Sequence, residues 1–300
     1  MLYIIENANL LKDSQLKTCS LLINNNRIAK IDSHFNNYRL MKMNADPYIM
    51  TPTYVLFNSN IPQMKAFQEL KKYLIKEFLL KGCTTLITYV NVSYESELTK
   101  KMSELKTVLL SSPIDFCIGV RIPIRLITQS FIRKCKKEKI PAIFVELQSI
   151  DELEKIPWGW IREAMFPYNS PLIPIISSTE KKEVKSVLSK WKGIMKRENI
   201  PALYEEVEEN QALSISVLNK IGLYPQKSSL MCGNEISYNL YTKRKDKNVD
   251  DMNLFHYHSD RLVVTVHKGT VLRAGDNVLF KPGYGEHVRV RIPSYFSLPI

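Results

Sequence analysis

The sequence predicts an α/β fold with a parallel β-sheet in the middle of the chain and short β-strands at both ends. Three observations lead to this expectation. Apolar strand patterns alternate with amphipathic helical patterns over residues 53–222, which is typical of parallel sheets built from βα units. Residues 1–51 and 235–291 contain short strand patterns separated by turns. The hydrophobic fraction of 45% in 300 residues is that of an ordinary globular protein.

The N-terminal strands are expected to form a hairpin. The segments Leu2–Ile5, Ser20–Ile23 and Arg27–Ile31 are all rich in apolar residues that favour strands. Asn24–Asn26 separates the last two, and asparagine tolerates the positive φ angles that tight turns require. A small β-unit should therefore begin the chain.

Five strands and six helical segments are expected in the middle of the chain. The strands are 54–57, 84–90, 115–122, 141–147 and 172–176. Pro62 should open the first helix and Gly82 should end it. Further helices are expected at 98–110, at 130–139 and within 150–165. Ser177 with Glu180 fits a capping box for a fifth helix, and a last helix should run from Ala202 to Ile221.

The net charge of +12 is concentrated in lysine-rich runs at 133–139, 181–197 and 243–247. Such runs attract phosphate backbones and anionic lipids. No aromatic residues are interleaved with them in a nucleic-acid-binding pattern, so solvated helix faces are the favoured interpretation and nucleic-acid binding is disfavoured. The sequence contains no apolar run that predicts a membrane span, and it begins as a strand rather than a signal peptide, which favours a cytoplasmic location.

Common catalytic and zinc-binding motifs are absent from the sequence. There is no P-loop, G-x-G-x-x-G, G-x-S-x-G or H-E-x-x-H pattern, and the five cysteines are dispersed without a C-x-x-C pair. One H-x-H pattern, His256 and His258, lies in the C-terminal β-unit, where two surface histidines are the favoured interpretation.

Six segments of the sequence carry a resemblance to a known enzyme family. In chain order they are Leu21–Ile31, Asn44–Pro52, Lys81–Thr85, Leu223–Gly233, Val266–Gly275 and Gly283–Arg291. Together they resemble motifs of the cyclic amidohydrolases, such as dihydropyrimidinase, allantoinase and dihydroorotase. The resemblance implies a (β/α)-barrel flanked by a small β-sandwich that both chain ends build, and it implies a metal-dependent hydrolase mechanism.

The metal ligands that this resemblance implies are missing. The family's H-x-H pair at the end of the first barrel strand corresponds here to Asn58 and Asn60. The bridging lysine of the fourth strand corresponds to Val145, and the catalytic aspartate falls on Ser177 and Ser178. The two later histidines have no counterpart, because the middle of the chain contains no histidine. Neutral amides are poor zinc ligands beside imidazole, so no metal or cofactor is expected.

The middle of the chain is also too short for a complete barrel. Residues 53–222 supply five recognisable strands, whereas an eight-stranded barrel takes roughly 250 residues. We therefore expect a shortened, open barrel remnant at 52–227, and a composite β-sandwich formed by 1–51 with 228–300. An open sheet exposes its edges, which favours a dimer or a partner that covers them.

The favoured hypothesis is a non-catalytic scaffold or regulatory protein that acts as a homodimer or with a protein partner. In the family, the segment that resembles Gly283–Arg291 reaches across to a neighbouring subunit, which would help such a dimer. One alternative is a hydrolase of C–N bonds with an altered site, for which Asn58, Asn60, Glu146, Ser177 and Ser178 would form a residual polar pocket. The other alternative is a binder of anionic surfaces or nucleic acid through the lysine-rich runs.

Overall fold

Two β-sheets organise the protein. The computed structural model describes residues 1–12, 15–61, 66–177, 180–243, 251–256 and 258–294. Three features predicted from the sequence lie outside the described residues: Pro62, Ser178 and residues 244–247 of the last basic run. None of the helices in the described part of the chain is both long enough and apolar enough to cross a membrane.

The N-terminal strands form the expected hairpin within a larger sheet. The strands are β1 (Leu2–Lys12), β2 (Gln15–Asn24), β3 (Arg27–Asp32), β4 (Met41–Asn44) and β5 (Tyr48–Pro52). Strands β2 and β3 pair in antiparallel orientation, and Asn25 and Asn26 between them have φ angles of 47° and 63°. The turn therefore uses the left-handed conformation that the asparagine run predicted.

The middle of the chain forms a parallel sheet of five strands, as the sequence predicted. Its elements are β6 (Tyr54–Phe57), α1 (Phe67–Glu77), β7 (Cys83–Asn91), α2 (Leu98–Leu109), β8 (Asp115–Pro123), α3 (Gln129–Lys137), β9 (Ile143–Leu147), α4 (Ile150–Glu154), α5 (Trp158–Met165), β10 (Leu172–Ile176), α6 (Lys181–Arg197) and α7 (Ile215–Ile221). The strands pair in the order β6–β7–β8–β9–β10. The sheet curls into a half-barrel, with helices packed on its outer side.

The C-terminal strands join the N-terminal ones in one nine-stranded sheet. They are β11 (Tyr238–Thr242), β12 (Leu262–His267), β13 (Thr270–Ala274) and β14 (Asn277–Val278), and helix α8 (Asp251–His256) lies between β11 and β12. Strand β11 pairs antiparallel with β5, from Tyr238 opposite Pro52 to Thr242 opposite Tyr48. The expectation that both chain ends build one β-unit is confirmed.

The segment 201–213 departs from the predicted helix and instead contacts both edges of the half-barrel. Ala202 bridges Leu172 at the β10 edge, and Ala212 bridges Leu56 at the β6 edge. A helix is disfavoured there because the glutamates at 205, 206, 208 and 209 would repel one another across a turn. The helix begins only after Ser214, whose hydroxyl accepts a hydrogen bond from the Val217 amide. At these two bridges the edges of the half-barrel are covered by the chain itself, whereas an open sheet was expected to expose them.

The C-terminal tail also differs from expectation, because it packs against its own chain. His287 forms a parallel bridge with Phe116, and the Val288 amide donates to the Phe116 carbonyl at 2.8 Å. The tail passes so close to β8 that a Cβ at Gly285 would overlap the backbone of Ile114. The tail thus packs against the half-barrel of its own chain.

Apolar side chains fill the inner side of the half-barrel. The buried cluster on this side comprises Val55, Phe57, Ile87, Tyr89, Cys117, Ala142, Phe144, Ile173, Leu203, Leu218, Ile221, Leu223, Val288 and Val290. The rings of Phe57 and Phe144 stack with centroids 5.0 Å apart, and Tyr89 lies 5.0 Å from Phe144. Helix α7 and the tail close this cluster, so the space that further barrel strands would enclose is occupied by this chain.

The predicted capping box at Ser177 and Glu180 does not form. Glu180 is the N-cap residue of α6, and its side chain makes no capping hydrogen bond. The Ser177 amide instead donates to the Leu147 carbonyl at 3.3 Å, so Ser177 continues the β10 side of the sheet. The helix starts one residue after Glu180, which leaves Ser177 too far from the first turn to cap it.

A buried carboxylate connects the two sheets. Asp115, at the start of β8, is fully buried and its oxygens accept hydrogen bonds from Lys227 Nζ at 2.6 Å and from Lys268 Nζ at 2.8 Å. The Glu286 amide donates to the same carboxylate at 2.8 Å, and His267 Nε2 lies 3.5 Å away. These partners come from three of the six segments that carry the family resemblance. Those segments are therefore held together at the amino-terminal end of β8.

The surroundings of Asp115 favour its charged form. Burial by itself raises the pKa of a carboxyl, but the hydrogen bond and charge of His267 and the charges of Lys227 and Lys268 outweigh it. The pKa of Asp115 is consequently held well below its ordinary value. Lys227 also contacts Glu235 at 2.8 Å, so the ion pair extends into the chain segment that leads to β11.

Replacing Asp115 with Asn should destabilise the fold strongly, because Lys227 and Lys268, whose side chains are only 10% and 11% exposed, would lose the buried carboxylate that both contact and would keep only Glu235 and Glu286. We expect a loss of about 3–5 kcal/mol in the free energy of unfolding near neutral pH, measured by urea denaturation. The contribution is complete above the ordinary carboxyl pKa of about 4 and is lost as the pH falls through the lower folded-state pKa. The gap between wild type and Asp115→Asn should therefore narrow in acid. The control is Asp32→Asn, which breaks an exposed ion pair with Lys30 and should lower the free energy of unfolding much less. An equal loss of stability in both variants would contradict the role of Asp115.

The tail should stabilise the isolated subunit. Val290 is 2% exposed within the inner cluster, so Val290→Ala should lower the free energy of unfolding by about 2 kcal/mol through lost burial and a residual cavity. Val271, which is 45% exposed, supplies the matched control, and Val271→Ala should change stability by less than about 0.5 kcal/mol. Equal unfolding midpoints for the two variants would show that the tail does not pack in solution as described.

Candidate functional site at the carboxyl ends of the parallel strands

Strand alternation determines which side chains reach the carboxyl end of the half-barrel on its inner side. Phe144 belongs to the inner cluster, whereas Val145 packs in the outer cluster with the helices. Glu146 therefore follows Phe144 on the inner side, as Arg121 follows Cys117 on β8. Val145, which the resemblance placed at the bridging-lysine position, therefore points away from the inner side, and the inward-facing residue at the end of β9 is Glu146.

An ion pair occupies this inner position. Arg121 Nε donates to Glu146 Oε1 at 2.6 Å, and Arg121 Nη1 donates to the Tyr89 hydroxyl at 3.1 Å. The side chains of Arg121 and Glu146 are 32% and 28% exposed. The pair therefore lies outside the core, at the opening of the half-barrel formed by the carboxyl ends of its strands, which is called the mouth below. Burial opposes the charge of Arg121, but Tyr89 and Glu146 raise the pKa of the guanidinium above its ordinary value. A permanent positive charge therefore sits at the strand ends.

Asn58 is fully buried, and its amide group is already used in hydrogen bonds. Its Nδ2 donates to the Tyr73 hydroxyl at 2.5 Å and to Asn210 Oδ1 at 2.8 Å. Its Oδ1 accepts from the Asn60 amide at 2.9 Å. The residue thus fixes the turn after β6 to helix α1 and to the segment 201–213, which is a structural task.

The other predicted pocket residues lie around this mouth, and they do not converge on one point. Asn60 Nδ2 is 3.5 Å from Glu209, and Ser59 donates to the same carboxylate. Ser177 follows β10 and is bonded through its amide to Leu147. Ser178 lies outside the described residues.

The segment 201–213 brings three polar residues to the mouth that nothing in the sequence pattern assigned. Glu206 accepts a hydrogen bond from the Ile176 amide at 2.6 Å, Glu209 meets Ser59 and Asn60, and Asn210 meets Asn58. They were missed because a helix was predicted there. The feature of the sequence that could have indicated this is the group of four glutamates at 205, 206, 208 and 209, because their mutual repulsion disfavours a helix and favours a solvated segment.

The side chains at the strand ends do not fit a divalent metal. The described residues contain no group of three or more His, Cys, Asp or Glu side chains that could hold an ion. Asn58 offers an amide that is already bonded, and the carboxylate of Glu146 is paired with Arg121. His256 ends helix α8, in the C-terminal part of the chain. The arrangement supports hydrogen bonding and ion pairing rather than Lewis-acid chemistry.

No family model and no curated protein matches the sequence. Solved structures do resemble the fold. A D-hydantoinase superposes with a TM-score of 0.60 at 13% identity, and the alignment covers 97% of this chain and 99% of that one. A dihydropyrimidinase from Brevibacillus agri gives 0.58 at 11% identity, with the same coverage of both chains. An N-isopropylammelide isopropylaminohydrolase from Burkholderia multivorans gives 0.54 at 10% identity, covering 93% of this chain and 100% of that one.

At these identities the likeness concerns the fold. It agrees with the half-barrel and with the sheet that both chain ends build. The chain therefore has a cyclic amidohydrolase-like fold.

Proposed function

We propose that this chain is a non-catalytic protein of amidohydrolase-like fold that acts through contacts with a second copy or with another protein. The observation that carries the proposal is the Arg121–Glu146 ion pair at the ends of β8 and β9, together with the buried amide of Asn58 after β6. These positions hold a fixed cation, its counter-ion and a satisfied amide in place of metal ligands.

This composition opposes metal-assisted hydrolysis. A catalytic metal lowers the pKa of a bound water and polarises the scissile carbonyl, and it needs several free anionic or imidazole donors. An added divalent ion would have to displace the guanidinium of Arg121 from Glu146 and would be repelled by it.

The filled inner face supports the same proposal. Phe57, Tyr89 and Phe144 contact one another directly, and Leu203 with helix α7 covers them. A hydantoin or dihydropyrimidine ring, of the kind named for the similar structures, would have to move these side chains to reach the interior. Such repacking of a dense core is costly.

Self-association would use a surface rather than an unpaired sheet edge. The bridges at Ala202 and Ala212 already occupy part of both edges of the half-barrel. Large apolar side chains remain exposed elsewhere: Trp160 on α5 is 61% exposed and Phe166 just after it is 69% exposed. Exposed aromatic residues of this kind are enriched in protein interfaces, which supports a homodimer or a protein partner.

The proposal predicts that the purified protein lacks a catalytic metal and does not hydrolyse cyclic amides. Elemental analysis after dialysis should give well under one zinc, manganese or iron per chain, for the wild type and for the variant His256→Ala with His258→Ala. Incubation with hydantoin or dihydrouracil, with and without added zinc or manganese, should give no turnover above buffer, because no side-chain set in the described part of the mouth fits the ion.

The alternative of a residual hydrolase makes a different prediction. Turnover that disappears in Glu146→Gln but persists in the exposed control Glu286→Gln would place a working site at the mouth and end the non-catalytic proposal. A full metal equivalent that remains in the double histidine variant would have the same consequence.

Association should be measurable by sedimentation across micromolar concentrations. We expect the mass of a dimer for the wild type, and a shift towards monomer for Trp160→Ala with Phe166→Ala, because about 25 cal/mol is lost per Å² of apolar contact. Leu110→Ala, at an equally exposed position of 69%, should leave the mass unchanged. A compact monomer at every concentration would refute self-association, leaving a different protein as the partner.

A further inference from the structure

Three lysine side chains surround the ring of Tyr204 on the outer surface. The Nζ atoms of Lys192 and Lys196 lie 5.6 Å and 5.7 Å from the ring centroid, and that of Lys220 lies 4.8 Å from it. Lys192 and Lys196 are one turn apart on α6, and Lys220 is on α7. Two helices and the segment 201–213 therefore bring three positive charges to one aromatic ring.

These charges have no acidic partner among the described residues. No ion pair joins Lys192, Lys196 or Lys220 to a carboxylate, whereas Lys190 on the same helix pairs with Glu154. Glu206 and Glu209, two of the four glutamates in the segment 201–213, bond to groups at the mouth of the half-barrel and not to these lysines. The cluster is thus a concentration of uncompensated positive charge on a defined piece of structure.

The cluster is held in position before any ligand binds. The Leu203 amide donates to the Leu172 carbonyl at 2.9 Å, which fixes the backbone beside Tyr204 to β10. Lys220 Nζ donates to the Ala202 carbonyl at 3.0 Å, and two of its three protons remain for another acceptor. Burial lowers the pKa of Lys220, which indicates that water solvates this ammonium incompletely.

We propose that Lys192, Lys196, Lys220 and Tyr204 form a binding site for a phosphate group. Three ammonium donors within 5.7 Å of the centre of one ring suit one phosphate or pyrophosphate better than a polymer, which needs an extended groove. The ring's negative face offsets part of the repulsion among the lysines, and a bound polyanion would offset the rest. The site is separate from the mouth and does not depend on the non-catalytic proposal.

The source of the phosphate is either a soluble phosphorylated compound or a lipid headgroup, and the test distinguishes them. Isothermal titration of the full-length protein with inorganic pyrophosphate should show saturable binding. The triple variant Lys192→Gln, Lys196→Gln and Lys220→Gln should bind at least roughly tenfold more weakly, because it loses three charge-assisted donors. Co-sedimentation with phosphatidylcholine vesicles, with and without a phosphoinositide, then shows whether a headgroup is accepted.

The matched control removes the same number of positive charges, all of them from α6. Lys181→Gln, Lys182→Gln and Lys185→Gln change three exposed lysines near the start of α6 and should leave pyrophosphate binding within about twofold. Thermal unfolding without ligand should show that both triple variants are folded. Absence of saturable pyrophosphate binding would overturn the proposal. Equal weakening in the two triple variants would also overturn it, because binding would then depend on the net charge of the protein alone.

Discussion

The buried carboxylate of Asp115 is the interaction on which the rest of the structure depends. It lies where the half-barrel, the returning β-unit and the C-terminal tail meet, and it is satisfied by Lys227, Lys268 and the Glu286 amide together. An unpaired charge in that position would be costly, so each partner has to be in place when the chain folds. In this chain the contact lies at the amino-terminal end of β8, remote from the carboxyl ends of the strands, where (β/α)-barrel enzymes place their active sites.

A different ion pair occupies the carboxyl end of β8. There Arg121 pairs with Glu146, and the adjacent inner face is packed with aromatic rings that helix α7 and the tail cover. A scaffold can retain its fold while its strand ends change, since the packing that stabilises a barrel and the donors that serve catalysis belong to different residues. In the half-barrel, the ionic contact of Asp115 lies at the amino-terminal end of β8. The mouth, at the other end, holds no donor set suited to a metal among the described residues.

The segment 201–213 combines several tasks that additional barrel strands would otherwise perform. It bridges β10 through Ala202 and β6 through Ala212, so one short stretch contacts both edges of the curled sheet. Glu206 and Glu209 bond to groups at the mouth, and Tyr204 contacts lysines of α6 and α7. One short segment therefore contributes both to the polar contacts at the mouth and to the cationic cluster on the helices.

The sequence by itself determined the α/β class, the five parallel strands and the asparagine turn, because strand and helix periodicities and turn residues act locally. The joining of both chain ends was an expectation that only the resemblance to cyclic amidohydrolases implied. The sequence also located Asn58 and Glu146 at strand ends. It did not determine the inward direction of Glu146 in place of Val145, the path of residues 201–213 or the docking of the tail. Those features depend on contacts between residues far apart in the chain, such as Ala212 with Leu56 and Glu286 with Asp115. Only the tertiary structure decides them, since a segment without strong local preference adopts the conformation that best satisfies the exposed edge or buried charge it meets.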